Sequence, residues 1–86
     1  MFIHKSNRNM NALEVADLIE CFLEGKSLHP AEWNEFVDVS QHDKKVDVYR
    51  KRCDELDPLV NRPGDMDPTA VAELRSMVNE LRETNI

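Results

Sequence analysis

Side chains that could do chemistry are scattered through this sequence without the spacing that a catalytic or metal site requires. His4, His29 and His42 stand singly in segments without helical periodicity, and no Cys-x-x-Cys or His-x-x-x-His pair occurs, so we predict no metal site. Cys21 has acidic neighbours on a helical wheel, where negative charge disfavours the thiolate that a nucleophile requires. Cys53 falls on an apolar stripe and is predicted to be a core residue.

Nucleotide chemistry and acid–base catalysis are also disfavoured. Gly25 and Gly64 are the only glycines, and neither belongs to the glycine-rich turn from strand to helix that cradles phosphate. The chain has 17 Asp and Glu residues, but an acid–base pair needs a pocket that shifts its pKa values, and small helical chains rarely enclose one. We therefore predict a protein that is not an enzyme and that uses no cofactor.

We predict four short helices, which position these residues and pack into a compact all-α bundle. Apolar residues recur at three- and four-residue steps in four stretches, which is typical of amphipathic helices. We predict helices over about 11–24, 30–38, 43–56 and 68–83, in a single domain over 11–86. Residues 1–10 are polar and lack periodicity, so we expect a flexible N-terminal arm.

Local signals predict where the first and fourth helices begin and end. The Asn11-x-x-Glu14 spacing predicts a capping box at the first helix, and Gly25 predicts its end. Asp67 is the expected cap of the fourth helix, with Pro68 in its first position.

Separate signals predict the two ends of the third helix. Ser40 or Asp43 is expected to cap it. Pro58 is expected to end it near residue 57, because proline restricts the preceding residue to non-helical conformations. Leu59 and Val60 are then expected to attach the following loop to the core.

Composition favours a cytoplasmic protein with a basic partner. A net charge of −6 disfavours sequence-independent binding to nucleic acid, which depends on Lys and Arg. The two cysteines lack the dense spacing of a secreted disulfide scaffold. The N-terminus lacks the apolar run of a signal peptide, and no apolar stretch approaches the roughly 18 residues that span a bilayer. We therefore expect no binding to nucleic acid or membrane.

Negative charge is concentrated in the first two predicted helices. Residues 11–39 contain seven acidic residues and one basic residue, Lys26, so this stretch alone accounts for a charge of −6. These acids lie opposite the apolar stripes, and unshielded acids that repel one another are tolerable where a basic partner binds. A merely solvated helix surface explains the same pattern. The candidate partner-binding residues are Glu14, Asp17, Glu20, Glu24, Glu32, Glu35 and Asp38.

The third and fourth predicted helices suggest other contacts. The third is locally basic, with Lys44, Lys45, Arg50, Lys51 and Arg52. The fourth has a regular apolar seam, which in so short a chain could instead form the interface of a structural or regulatory homo-oligomer. The residues of this seam are Val71, Leu74, Val78 and Leu81.

Several short segments resemble a pattern in small uncharacterised bacterial proteins of similar size. These segments are the runs at 22–27 (FLEGKS) and 32–36 (EWNEF), Tyr49-Arg50-x-Arg52-Cys53, and the closing helix from Leu74 to Leu81. In general character the group resembles bacterial immunity or antitoxin proteins, which are compact acidic domains that bind and neutralise a toxin. The resemblance implies an inhibitor of a basic toxin, and it assigns no individual site residue.

Overall fold

Four α-helices make up the part of the chain that the structure describes. The computed structural model describes residues 10–25 and 31–84. Its helices are α1 (Ala12–Leu23), α2 (Ala31–Asp38), α3 (Lys44–Val60) and α4 (Pro68–Thr84), and no strand occurs in these residues. The all-α prediction is confirmed. The predicted arm lies outside the described residues except for Met10, which packs against the core.

The capping signals of α1 and α4 act as predicted. Asn11 Oδ1 accepts a hydrogen bond from the Glu14 N–H at 2.9 Å, and the Glu14 carboxylate accepts from the Asn11 N–H at 3.0 Å. Gly25 follows α1 with a φ of 68°, a left-handed conformation that suits glycine after a last turn. The Asp67 carboxylate accepts from the Ala70 N–H at 2.9 Å, which caps α4.

The predicted end of α3 is wrong. Asp43 caps the helix as one of the two expected residues, but the helix continues through Pro58 to Val60. Proline has no backbone N–H, so the backbone carbonyl one turn before Pro58 lacks its helical hydrogen bond. Because Pro58 is exposed, water can donate to this carbonyl instead. Val60 is buried, and the Asn61 N–H donates to the Asp57 carbonyl at 2.8 Å, so packing and a cap hold the last turn. Leu59, which was expected to contact the core, is exposed.

The core joins residues from all four helices. α1 packs most extensively against α4, and α2 packs mainly against α3. Leu81 lies beside Ala12, while Arg75 lies beside Leu23, so α1 and α4 run antiparallel. The buried apolar side chains are Val15, Ala16, Ile19, Trp33, Phe36, Val37, Val46, Cys53, Leu56, Val60, Ala70, Leu74, Met77, Val78 and Leu81.

Trp33 fixes the short helix α2 in place. Its side chain is 1% exposed, and its ring stacks on Phe22 of α1 with centroids 4.1 Å apart. Its indole Nε1–H donates to Asp57 of α3 at 2.5 Å. An isolated helix of eight residues is unstable in water, so these tertiary contacts must stabilise α2. Trp33 is therefore the buried anchor of α2.

Candidate functional site

The carboxylates of α1 and α2 form the candidate site, which we call the acidic surface. α1 contains Glu14, Asp17 and Glu20, and α2 contains Glu32, Glu35 and Asp38, while neither helix contains a Lys or Arg. Glu24 adds a seventh carboxylate as the C-cap of α1. The side chain of Glu32 lies outside the described part of the structure.

Arg82 of α4 neutralises part of the acidic surface. Its guanidinium donates to both carboxylate oxygens of Glu20, at 3.0 and 3.1 Å, and to Asp17 at 3.2 Å. These hydrogen bonds, first with Glu20 and then with Asp17, raise the pKa of Arg82 above its ordinary value. The sequence-based premise of unshielded acids is therefore wrong for Asp17 and Glu20.

Glu14 also has a structural role, since its carboxylate completes the capping box with the Asn11 N–H. Among the acids whose side chains are described, Glu24, Glu35 and Asp38 are exposed and stand at or near the C-terminal ends of α1 and α2. The C-terminal end of a helix is the negative end of its dipole, so carboxylates there oppose helix stability. These three carboxylates are accessible to a partner at the ends of α1 and α2.

The basic stretch of α3 does not form one basic face. Arg50 is buried and donates to the Val37 carbonyl at 2.9 Å. Arg52 forms a two-pronged ion pair with Glu73 of α4, with Nη2 of Arg52 2.8 Å from Oε1 of Glu73. Lys44 and Lys45 are exposed at the start of the helix. The positive charge of α3 is thus divided between the interior, an interhelical ion pair and the solvent.

A polar cluster around Arg50 was missed by the sequence analysis. Asp47 accepts from Arg50 Nε at 2.8 Å and from the Gln41 N–H at 2.8 Å, and Gln41 Oε1 accepts from the Met10 N–H at 3.2 Å. Gln41 is itself buried. The cluster connects the chain before α1, the link between α2 and α3, and α3 itself. A buried arginine in a basic run gives no local sequence signal, so this cluster could be found only in the fold.

The charge of Asp47 should make the domain sensitive to acid. Its hydrogen bonds, first from Arg50 and then from the Gln41 N–H, lower the pKa of the Asp47 carboxyl. The stabilisation is complete above the pKa of an unfolded aspartate, about 3.9, and is lost as the pH falls through the lower pKa of the folded state. We expect the free energy of unfolding, measured in urea, to fall from about pH 4 downward. Asp47→Asn should be less stable at neutral pH and show a shallower fall.

Asp54→Asn is the matched control for this prediction, because Asp54 is an exposed aspartate of the same helix. This variant should keep the acid dependence of the unmodified chain. An Asp47→Asn curve that is parallel to the Asp54→Asn curve throughout the acid range would contradict the assignment.

The cysteine of α1 and the cysteine of α3 differ in exposure. Cys21 is exposed, and Cys53 is fully buried. Burial raises the pKa of Cys53 to about 12, so this thiol stays protonated at neutral pH. The prediction of Cys53 as a small core residue is confirmed.

The apolar seam of α4 lies inside the domain. Leu74, Val78 and Leu81 are buried against the rest of the chain, and Val71 is half-buried. A homo-oligomer that packs through this seam would therefore require the domain to open and expose its own core. Of these four residues, Val71 alone keeps partial exposure in the closed domain.

Across residues 10–25 and 31–84, no group of three His, Cys, Asp or Glu side chains is placed to hold a metal ion. No helix in these ranges is both long and apolar enough to cross a membrane.

Comparisons of the chain with protein-family models, with curated proteins and with solved structures find no match.

Proposed function

We propose that this domain binds a basic protein through the acidic surface, as an immunity-type inhibitor binds a bacterial toxin. The observation that carries the proposal is the absence of any Lys or Arg from α1 and α2, which together hold six carboxylates. Solvated helices usually carry both positive and negative side chains, because Lys and Arg form stabilising pairs with neighbouring acids. Twenty helical residues with one sign of charge favour recognition of the opposite sign.

The position of the exposed acids supports the same proposal. Asp38 ends α2, and neither α1 nor α2 has a basic residue in its last turn. Each carboxylate at the negative end of a helix costs roughly 0.3–1 kcal/mol when it is exposed. A partner's Lys or Arg would remove this repulsion and add its own attraction, so the arrangement is better suited to the complex than to the free domain.

Inhibition follows from the sign of the charge. A toxin that acts on nucleic acid must present a cationic surface to the phosphates of its substrate. A domain that covers this surface with carboxylates competes directly with the substrate. Long-range attraction between opposite charges also speeds the encounter, and salt screens it within about 10 Å at 0.1 M ionic strength.

Charge reversal on α2 tests the proposal. We expect Glu35→Lys/Asp38→Lys to lose most of the partner that the unmodified chain recovers from an extract of the source organism at low salt. The variant should remain folded, because both residues are exposed and Lys at the end of a helix is favourable. Quantitative mass spectrometry of the bound fraction measures the recovery, and thermal unfolding followed by circular dichroism measures the stability.

Asp54→Lys/Asp65→Lys is the matched control, with the same change in net charge at two exposed acids outside α1 and α2. It should retain the partner. Equal recovery by both variants and the unmodified chain would contradict the acidic surface as the binding site. The immunity role has its own test, in which co-expression of the chain must relieve the growth defect that the recovered partner causes.

A further inference from the structure

A cavity of about 260 Å³ lies where the beginnings of α1 and α3 meet the end of α4. Pockets for drug-sized ligands usually measure about 300–1,000 Å³, so this cavity is of the size that holds one large side chain. Val46 of α3 and Leu81 of α4 line it and are buried, while Ala12 and Tyr49 line it and are half-buried. Apolar surface from three helices therefore borders the cavity.

The polar groups of the lining already have partners within the domain. Asn11 forms the capping box of α1. Asp43 accepts from the Lys45 N–H at 2.9 Å, and the Tyr49 hydroxyl is hydrogen-bonded to Glu80. Lys45 itself is exposed, so solvent can hydrate its ammonium group. The lining therefore favours an apolar occupant, which gains contacts here without leaving these groups unpaired.

The chain that precedes α1 is fixed beside this cavity. Met10 packs against the core, and its N–H donates to Gln41 Oε1 at 3.2 Å. Asn11, the residue after Met10, lines the cavity. Gln41 lies two residues before Asp43, which also lines it. Both partners of the Met10 hydrogen bond are thus close in sequence to the lining, and the chain upstream of Met10 starts from this side of the domain.

Residues 1–9, which lie outside the described part of the structure, have a composition that fits this cavity. Met1, Phe2 and Ile3 are apolar, and residues 4–9 contain no apolar side chain. Ile3 is seven residues before Met10, and seven residues of extended chain span up to about 25 Å. The polar link is therefore long enough to bring the apolar residues back to a cavity that begins next to Met10.

We propose that this cavity is the docking site of the chain's own residues 1–3, with the ring of Phe2 inside it. The ring would pack against Val46 and Leu81, and a pair of aromatic rings with Tyr49 is favourable beyond the apolar area that it buries. A tethered segment also has an effective concentration of millimolar order, which a separate partner lacks. No residue of the acidic surface lines this cavity, so the inference is independent of the proposed function.

Nuclear Overhauser effects from the ring protons of Phe2 test the proposal in the full chain. In a dilute sample we expect cross-peaks from this ring to the methyl groups of Val46 and Leu81. Phe2→Ser should shift the backbone amide signals of Val46, Tyr49 and Leu81, because the ring current and the packing are lost. Ser6→Ala is the control within the same segment, and it should leave these amide signals in place.

A variant on the cavity side tests the same contact from the other direction. Ala12→Phe should fill the cavity with a ring from α1 and abolish the cross-peaks between Phe2 and Leu81. It should remain folded, because Ala12 is only half-buried at the first position of α1. Ala72→Phe is the matched control, since it makes the same change at an exposed alanine of α4 outside the cavity, and it should retain the cross-peaks.

Three results would overturn the proposal. The first is the absence of cross-peaks from Phe2 to Val46 and Leu81, or their equal retention in Ala12→Phe and Ala72→Phe. The second is cross-peaks that arise only between labelled and unlabelled chains of a mixed sample, because the occupant would then be a second copy. The third is cross-peaks from Ile86 to Leu81 that persist unchanged in Phe2→Ser, because the residues after α4 would then occupy the cavity.

Discussion

Replacement of Trp33 by alanine is expected to lower the free energy of unfolding by about 3–5 kcal/mol, the usual range for a buried aromatic residue. Trp33 is 1% exposed and stacks on Phe22. The replacement also leaves Asp57 without the indole N–H that now donates to it at 2.5 Å. Because the free energy of unfolding of a small domain is only about 5–15 kcal/mol, a large fraction of the molecules should be unfolded at moderate temperature.

Urea denaturation followed by far-ultraviolet circular dichroism measures this loss. Trp33→Phe keeps a smaller aromatic ring and loses the hydrogen bond to Asp57 together with part of the ring packing, so it should cost at least about 1–3 kcal/mol and less than Trp33→Ala. Val48→Ala is the control for loss of apolar side chain, since Val48 is 65% exposed, and it should change stability by less than about 0.5 kcal/mol. A Trp33→Ala variant as stable as Val48→Ala would refute the role of Trp33 in holding α2.

Arg50→Met is expected to destabilise the domain by about 2–4 kcal/mol, although the residue lies in a run of basic residues that resembles a solvated surface. Methionine matches the length of the stem and removes two donors. One now reaches the Val37 carbonyl at 2.9 Å, and the other reaches Asp47 at 2.8 Å. Both acceptors then lose a hydrogen-bond partner in a largely buried position. The desolvation cost of an unsatisfied buried acceptor exceeds the average net stabilisation from one hydrogen bond.

Arg75→Met provides the control, because it makes the same chemical change at an exposed arginine. It should alter stability by no more than about 0.5 kcal/mol. Arg50→Lys should fall between these two variants, since it keeps the charge and lacks the planar fork that reaches both acceptors. Equal unfolding midpoints for Arg50→Met and Arg75→Met would show that the cluster around Asp47 contributes nothing.

The α-helices themselves could be predicted because their signals are local. The capping box at Asn11 and Glu14, the left-handed Gly25 and the cap at Asp67 each act within one turn of chain. Periodic apolar residues likewise predict which face of a helix is buried. The end of α3 was mispredicted because Val60 is held by the core, and long-range packing overrides the local effect of Pro58.

The partners of the charged residues could not be predicted. Arg82 and Glu20 are 62 residues apart in the chain, and Arg52 and Glu73 are 21 residues apart. The sequence pattern of one helix does not indicate which of its charged residues contact charged residues of another helix. Helical wheels placed the acids of α1 away from the apolar stripe, but they could not show that α4 brings a guanidinium alongside.

Residue types and short-range spacing are enough to predict the all-α class, the four helices and the excess of acid in the first two. These features depend on residue type and on spacing within a few residues, and both can be read directly from the amino-acid sequence. The folded chain is needed to show which acids remain exposed, that Arg50 is an interior residue, and that a cavity lies between α1 and α4. Each of these depends on the packing of helices that are distant in sequence, and packing brings their side chains within hydrogen-bonding distance.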